Sequence, residues 1–252
     1  MDAISRQFLI EVRLKEEKAP DYSSYPFSLP AIKDFESLRL HPKVTFLVGE
    51  NGSGKSTLLE AIAIAWGFNP EGGTKNFAFT TRESHSELHQ YLRLSRGVAK
   101  ARDGFFLRAE SFFNVASEID ALDEEPAFSP PIKDSYGGNS LHHQSHGESF
   151  MSLMMNRFSK ESFFILDEPE AALSPSRQMA MLVRMKELID KNCQFVIATH
   201  SPILMAYPDA DIQLITERGI EKSNYEDTEH FQITRQFLNN PDGMLKQLLD
   251  TD

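Results

Sequence analysis

Three short runs in the chain are apolar without interruption: VTFLV (44–48), FFILD up to its final aspartate (163–167) and QFVIAT after its glutamine (194–199). Runs of this length, rich in β-branched and aromatic side chains, suit strands covered on both faces. FLIEVRLKEE (8–17) instead alternates apolar and polar, as a half-buried strand does. Between these runs the period changes. From Ser56, STLLEAIAIAWGF predicts a mostly buried helix with Gly67 as its stop. Phe150, Leu153, Met154 and Phe158 recur at helical spacing, and SPSRQMAMLVRMKELIDKN (174–192) predicts a helix capped by Ser174 with Pro175 at its first position. HQYLRLSRGVAKARDGFFLRAE (89–110) predicts two strands joined by a basic turn. IQLITERGIEK predicts a hairpin, and TEHFQITRQFLNN a helix stopped by Pro241. The prolines of KAPDYSSYPFSLPAI mark a loop, and residues 114–147, acidic and rich in Pro and Gly, read as an exposed one.

Buried strands alternating with helices imply an α/β fold, a mainly parallel sheet sandwiched by helices. The expected layout is a single domain over 1–252: an antiparallel β region from 1–43 and 89–110, a sheet core from 44–66 and 161–205, a helical and loop region at 111–160, and a C-terminal hairpin and helix at 206–252.

Composition narrows the class. A formal net charge of −11 argues against a basic nucleic-acid groove covering the chain, so any nucleic-acid role would be local or carried by a partner. Cys193 is the sole cysteine, which rules out an intramolecular disulfide framework and leaves it as a small packing residue. No apolar run reaches the roughly 20 residues that span a bilayer, and the N-terminal stretch lacks a signal-peptide pattern. The expectation is a cytoplasmic protein without membrane insertion.

The candidate chemistry begins directly after the first buried strand. GENGSGKST (49–57) matches the phosphate-binding P-loop, G-x-x-x-x-G-K-[ST], with a strand before it and a helix after it. Gly49, Glu50, Asn51, Gly52, Ser53 and Gly54 would wrap a polyphosphate, Lys55 would reach its β- and γ-phosphates, and Ser56, followed by Thr57, would ligate Mg²⁺. Asp167 ends the second buried strand, where a carboxylate would hold Mg²⁺, and Glu168 would orient or deprotonate water. His200 follows the third strand and would emerge on the same sheet edge. Standing alone, an Asp-Glu pair after a strand more often caps a helix, and such a histidine is more often structural. Histidines 85, 89, 142, 143 and 146 lack an accompanying cysteine and are not read as a metal set, and DALDEEP (120–126) reads as a solvated acidic run.

Taken in this order, the motifs resemble those of ABC-type P-loop ATPases, the superfamily of transporter motor domains and of chromosome-maintenance and DNA-repair heads. The resemblance runs from about residue 40 to 205 and rests on Gly49–Thr57 (Walker A), Asp167-Glu168-Pro169 (Walker B), Ala171-Ala172-Leu173 (D-loop) and His200 (switch histidine). It implies a P-loop NTPase fold with an antiparallel β subdomain and a small signature-bearing region, binding ATP and Mg²⁺. It also implies a head-to-tail homodimer around ATP, in which each signature closes on the other subunit's nucleotide. QSHGE (144–148) stands where the L-S-G-G-Q signature is expected, with Ser145 on its serine and Gly147 on its second glycine; His146 and Glu148 depart from the pattern. The other reading of that stretch is a loop that caps the following helix. Glu110 stands where the family has a glutamine touching Mg²⁺ or its water, against the reading of an exposed strand end, and Tyr25 and Phe27 are the aromatic candidates for adenine.

The resemblance therefore implies an ATP-hydrolysing switch that drives an unidentified protein partner. The segment between Thr57 and Ser145 carries no heptad repeat, so a long-armed condensin-like protein is excluded, and the chain looks like the small stand-alone ATPases of the superfamily. A transporter motor subunit, a P-loop kinase and a non-hydrolytic ATP-dependent binding module are the competing readings.

Overall fold

The computed structural model describes residues 6–18, 20–70, 72–74, 86–108 and 146–249. Among the described residues nine strands fall into two sheets: β1 (Leu9–Leu14), β2 (Ser37–Arg39), β3 (Val44–Gly49), β4 (Leu92–Arg96), β5 (Asp103–Arg108), β6 (Ser162–Asp167), β7 (Gln194–Ala198), β8 (Asp211–Thr216) and β9 (Gly219–Ser223). The larger sheet runs β5-β6-β7-β3-β8-β9, parallel except for the β8–β9 hairpin. The smaller, β2-β1-β4, is antiparallel throughout. The helices are α1 (Pro30–Lys33), α2 (Lys55–Trp66), α3 (His146–Asn156), α4 (Pro175–Ile189), α5 (Pro202–Met205), α6 (Glu229–Asn239) and α7 (Pro241–Leu249).

Every residue of β3, β6 and β7 is buried, and their side chains divide by parity between two cores, as a period of two requires. Val44, Phe46, Val48, Phe164, Leu166, Phe195 and Ile197 face α3 and α4. Leu47, Phe163, Ile165, Val196 and Ala198 face α2 and the small sheet. The uninterrupted apolar runs are thus two interleaved faces, each with its own cover.

β5 departs from the sequence expectation. The sequence pattern groups it with the antiparallel region at 89–110, yet it pairs in parallel with β6, Arg108 opposite Asp167, as the edge of the large sheet. β4 alone joins β1. Pro241 likewise opens a helix, α7, instead of only ending α6, which suits a residue tolerated in a first turn.

The two sheets are fastened at the base of β7. Buried Gln194 accepts from the backbone N–H of Phe8 and of Leu9, both at 3.0 Å, and donates to Leu9 O at 2.8 Å and His41 O at 3.1 Å. All four of its hydrogen-bonding needs are met by backbone, so β1 is held against β7 by one side chain. At the opposite edge, the carboxyl ends of β5, β6, β7 and β3 come out together, which is where ligands bind in open α/β sheets.

Candidate active site

β3 ends at Gly49, and the loop 50–54 turns directly into α2. The loop closes on itself through Ser53 N–H to Glu50 O at 3.2 Å and is pinned to α1 by Ala31 N–H to Ser53 O at 2.9 Å. Gly54 caps α2 with φ 95°, and a Cβ there would come within 3.1 Å of both Ala31 and Leu29 side chains, so only glycine fits. Glu50, Asn51 and Gly52 are exposed, Ser53 is buried, and Ser56 and Thr57 are half-buried. Lys55 is buried, and its ammonium donates to Gly49 O at 2.7 Å and Glu50 O at 2.8 Å. Burial lowers its pKa, against the pull of Glu168, Asp167, Glu170 and Glu50.

Parallel register carries the other members to this loop. Asp167 lies opposite Ala198 and Arg108. Ser56 Oγ donates to Asp167 Oδ1 at 2.9 Å, linking the first turn of α2 to the end of β6. Arg108 pairs with Glu60 of α2 and stands 3.8 Å from Asp167 Oδ2. The hydroxyl of Ser56 and the carboxylate of Asp167 are hard oxygen donors, the kind Mg²⁺ takes alongside phosphate oxygens. Among the described residues no group of three or more His, Cys, Asp or Glu is arranged to hold a metal unaided.

Glu168 has φ 50°, a left-handed conformation rare for a residue with a side chain, and strain of this kind clusters at functional sites. Its Oε1 is 3.4 Å from His200 Nε2, without an aligned hydrogen bond. His200 is held from two further sides. Its backbone N–H donates to Glu170 Oε1 at 2.5 Å, and its Nδ1 is 3.0 Å from Nε2 of His230 on α6. Burial and then the charge of Lys55 depress the pKa of both imidazoles, with Glu168 opposing at His200. A cavity of about 550 Å³ opens over the loop, with Glu50, Asn51 and Ser53 on one wall and Ile215, Thr216 and His230 on another. That volume is in the range of small-molecule sites.

Lys55, Ser56, Asp167, Glu168 and His200 therefore stand together at one sheet edge. Gly147 lies in the first turn of α3, buried, away from these residues in sequence and packed against α4. A Cβ on it would meet Arg177 Nη1 at 2.5 Å and Ala172 O at 2.6 Å. Glu148 pairs with Arg177 at 3.2 Å. Ser145 and Glu110 lie outside the described residues. Phe27 is buried against Tyr91, which removes it as a candidate for adenine, whereas Tyr25 is exposed. Sequence reasoning missed Glu170, Arg108 and His230. Glu170 was legible as the third acidic residue of DEPE, but nothing local marks Arg108 or His230.

Parts of the chain match known families. Residues 24–125 match the family described as "AAA domain", and residues 149–206 the family described as "AAA domain, putative AbiEii toxin, Type IV TA system". An uncharacterized ABC transporter ATP-binding protein of Haemophilus influenzae is 24% identical over 193 residues, covering 70% of this chain and 71% of that protein. The energy-coupling factor transporter ATP-binding protein EcfA2 of Methanospirillum hungatei is 26% identical over 227 residues, covering 82% of this chain but only 54% of that protein. In fold, the chain is similar to cbiO1 of Clostridium perfringens, described as part of the ABC transporter complex cbiONQ. The TM-score is 0.54 at 17% identity, covering 97% of this chain and all of that one. A P-loop after a central parallel strand, Asp-Glu at the end of β6 and a small antiparallel sheet beside them give the chain an α/β P-loop fold like that of ABC-type ATP-binding proteins, and two of its segments match AAA-domain families.

Proposed function

We propose that this chain is a Mg²⁺-dependent ATP hydrolase that works as a switch: two copies close head to tail around ATP, and closure and opening drive a protein partner. The observation that carries the reading is the convergence on one sheet edge of buried Lys55, the Ser56–Asp167 hydrogen bond, and Glu168 in a left-handed conformation facing His200. Gly49–Thr57 would bind the phosphates, with Lys55 turning from the Gly49 and Glu50 carbonyls to phosphate oxygens. Ser56 and Asp167, with Glu110 as the further candidate, would hold Mg²⁺, which when bound neutralises charge on the β- and γ-phosphate oxygens. Glu168 would align water and take its proton, and His200 would contact the γ-phosphate and fix the position of Glu168. Ser145 and Gly147 would approach the nucleotide of the second copy.

What supports a protein partner is the printed names of the relatives, two transporter ATP-binding proteins and a cell-division ATP-binding protein. No described helix is long and apolar enough to cross a membrane. A cytoplasmic location belongs to the same reading.

The test is phosphate release from Mg-ATP by the wild type and a Glu168→Gln variant, with nucleotide binding measured in parallel. Turnover should fall at least about 100-fold, the scale on which a positioned general base acts, while ATP stays bound. A wild type that binds ATP and releases no phosphate is a binding module, and one that labels an added acceptor in place of water is a kinase.

A further inference from the structure

Two neutral imidazoles joined by one hydrogen bond have a direction, and the direction decides what His200 offers to the site. The Nδ1 of His200 and the Nε2 of His230 are 3.0 Å apart, so one donates and the other accepts. If His200 donated, its Nε2 would carry a lone pair facing the Glu168 carboxylate oxygen at 3.4 Å, a repulsive contact. His230 would then have to keep its proton on Nδ1, a buried atom with no hydrogen-bond partner among the described residues. A buried N–H without an acceptor is the rarer and costlier kind of unsatisfied group. If His230 donates, the lone-pair repulsion is replaced by an N–H facing a carboxylate oxygen at 3.4 Å, an attractive contact though not an aligned hydrogen bond, and the unpartnered Nδ1 of His230 is only an idle acceptor.

The placement of His230 is itself specified. No residue of α6 is buried, but the cap residue before it, Thr228, is wholly buried. Its Oγ1 donates to Tyr225 O at 2.7 Å and accepts from Phe231 N–H at 3.4 Å. This anchors the first turn, and the first turn carries His230 to the wall of the cavity above the P-loop. Burial and the nearby Lys55 keep both rings toward their neutral forms, so a bond between two uncharged imidazoles is consistent with the field there.

We propose that His230 is a positioning residue for His200: it donates from Nε2 to His200 Nδ1 and so fixes the tautomer in which His200 presents an Nε2–H to Glu168 and the γ-phosphate. The tautomer of one imidazole is set by the bond its other nitrogen makes. This inference rests on the hydrolase reading and extends it to the C-terminal helix.

The experiment has two readouts. Long-range ¹H–¹⁵N correlation spectra of the nucleotide-free protein should find both rings in the Nε2–H form, with His200 losing that single form in His230→Phe. Steady-state turnover of Mg-ATP should show a kcat lowered roughly 10-fold or more in His230→Phe, the size usual when the group orienting a functional imidazole is removed. Its KM should stay within about twofold, because the lost interaction acts on the reacting geometry and not on nucleotide binding. His230→Gln places an amide N–H the same number of bonds from Cβ and should recover kcat to within about threefold. His200 found in the Nδ1–H form, a His230→Phe enzyme as fast as wild type, or a glutamine variant no better than phenylalanine each overturns the proposal. If His230→Phe does not fold, the wild-type spectrum and the glutamine variant still decide. A wild type without phosphate release defeats the hydrolase reading instead, and the spectrum then judges the hydrogen bond by itself.

Discussion

Glu170 shows how a single side chain is committed to the site. Its Oε1 accepts the backbone N–H of His200, while Oε2 is buried without a hydrogen-bond partner among the described residues. Burial raises its pKa, the His200 and Thr199 hydrogen bonds oppose that, and the charge of Glu168 adds to it. The sign follows. A carboxyl whose folded pKa exceeds its unfolded value binds its proton more tightly when folded, so stability is lost as pH rises through that interval and regained as pH falls. Glu170→Gln keeps an acceptor for His200 and removes the charge. Its melting midpoint should exceed that of the wild type at pH 8 and converge with it toward pH 4.5; calorimetry at several pH values checks this, and a pH-independent difference sinks the account. Cys193 is simpler. Burial pushes its thiol up to about 11, and Sγ donates to Ser159 O at 3.1 Å. Iodoacetamide at pH 8 should therefore leave it unmodified in the native protein and label it fully in urea. Its packing role was legible in the sequence, because one buried cysteine at the foot of a strand needs no partner. The task of Glu170 was not, since which backbone N–H it meets is fixed only when β6 and β7 lie side by side.

At the scale of elements, what could be read from the chain was what local chemistry determines. The P-loop, the Ser174 cap of α4 and the Gly67 stop of α2 depend on backbone geometry within a few residues, and each stands where the sequence put it. β5 was misplaced for the opposite reason. Two neighbouring strands joined by a Gly-containing turn look like a hairpin, and only the parallel pairing of Phe105–Leu107 with β6 takes β5 into the other sheet. Gln194 belongs to the same class. Its polar character at the start of an apolar run gave no sign that it meets two N–H and two C=O groups across the sheets. Gln194→Leu would take this partner from the N–H groups of Phe8 and Leu9 and from His41 O, while Leu9 O keeps the Gln7 amide, at about 1–3 kcal/mol for each unsatisfied group that water does not reach. The expected loss is on the order of 3 kcal/mol or more, read as a lower urea midpoint with an unchanged slope. A midpoint within error of wild type would mean that water replaces the glutamine and that β1 is held by its apolar side chains.

At the scale of the whole molecule, the arrangement bears on how two copies would meet. Gly147 is pressed between Ala172 O and Arg177, and Arg177 also holds Glu148. The first turn of α3, the 169–173 segment and the start of α4 are therefore packed together as one ledge. The charge of Glu148 is met by Arg177 within the same chain, so in the signature reading it need not meet a phosphate unscreened. In the head-to-tail arrangement this ledge would face the P-loop of the second copy, and its shape, not its charge, would decide closure. Light scattering after gel filtration tests that idea. Glu168→Gln, 28.6 kDa in wild-type form, should run as a monomer without nucleotide and at roughly twice that mass with Mg-ATP. Adding Gly147→Val forces a side chain against the Ala172 carbonyl and tilts the ledge, while Lys55 and the P-loop, which touch neither residue, stay intact. The double variant should bind ATP as before and remain a monomer. Retained dimerisation would place the contact elsewhere on the chain. A monomer in both variants with ATP bound would mean that closure needs the partner, and then the ledge packs α3 onto α4 and does nothing more.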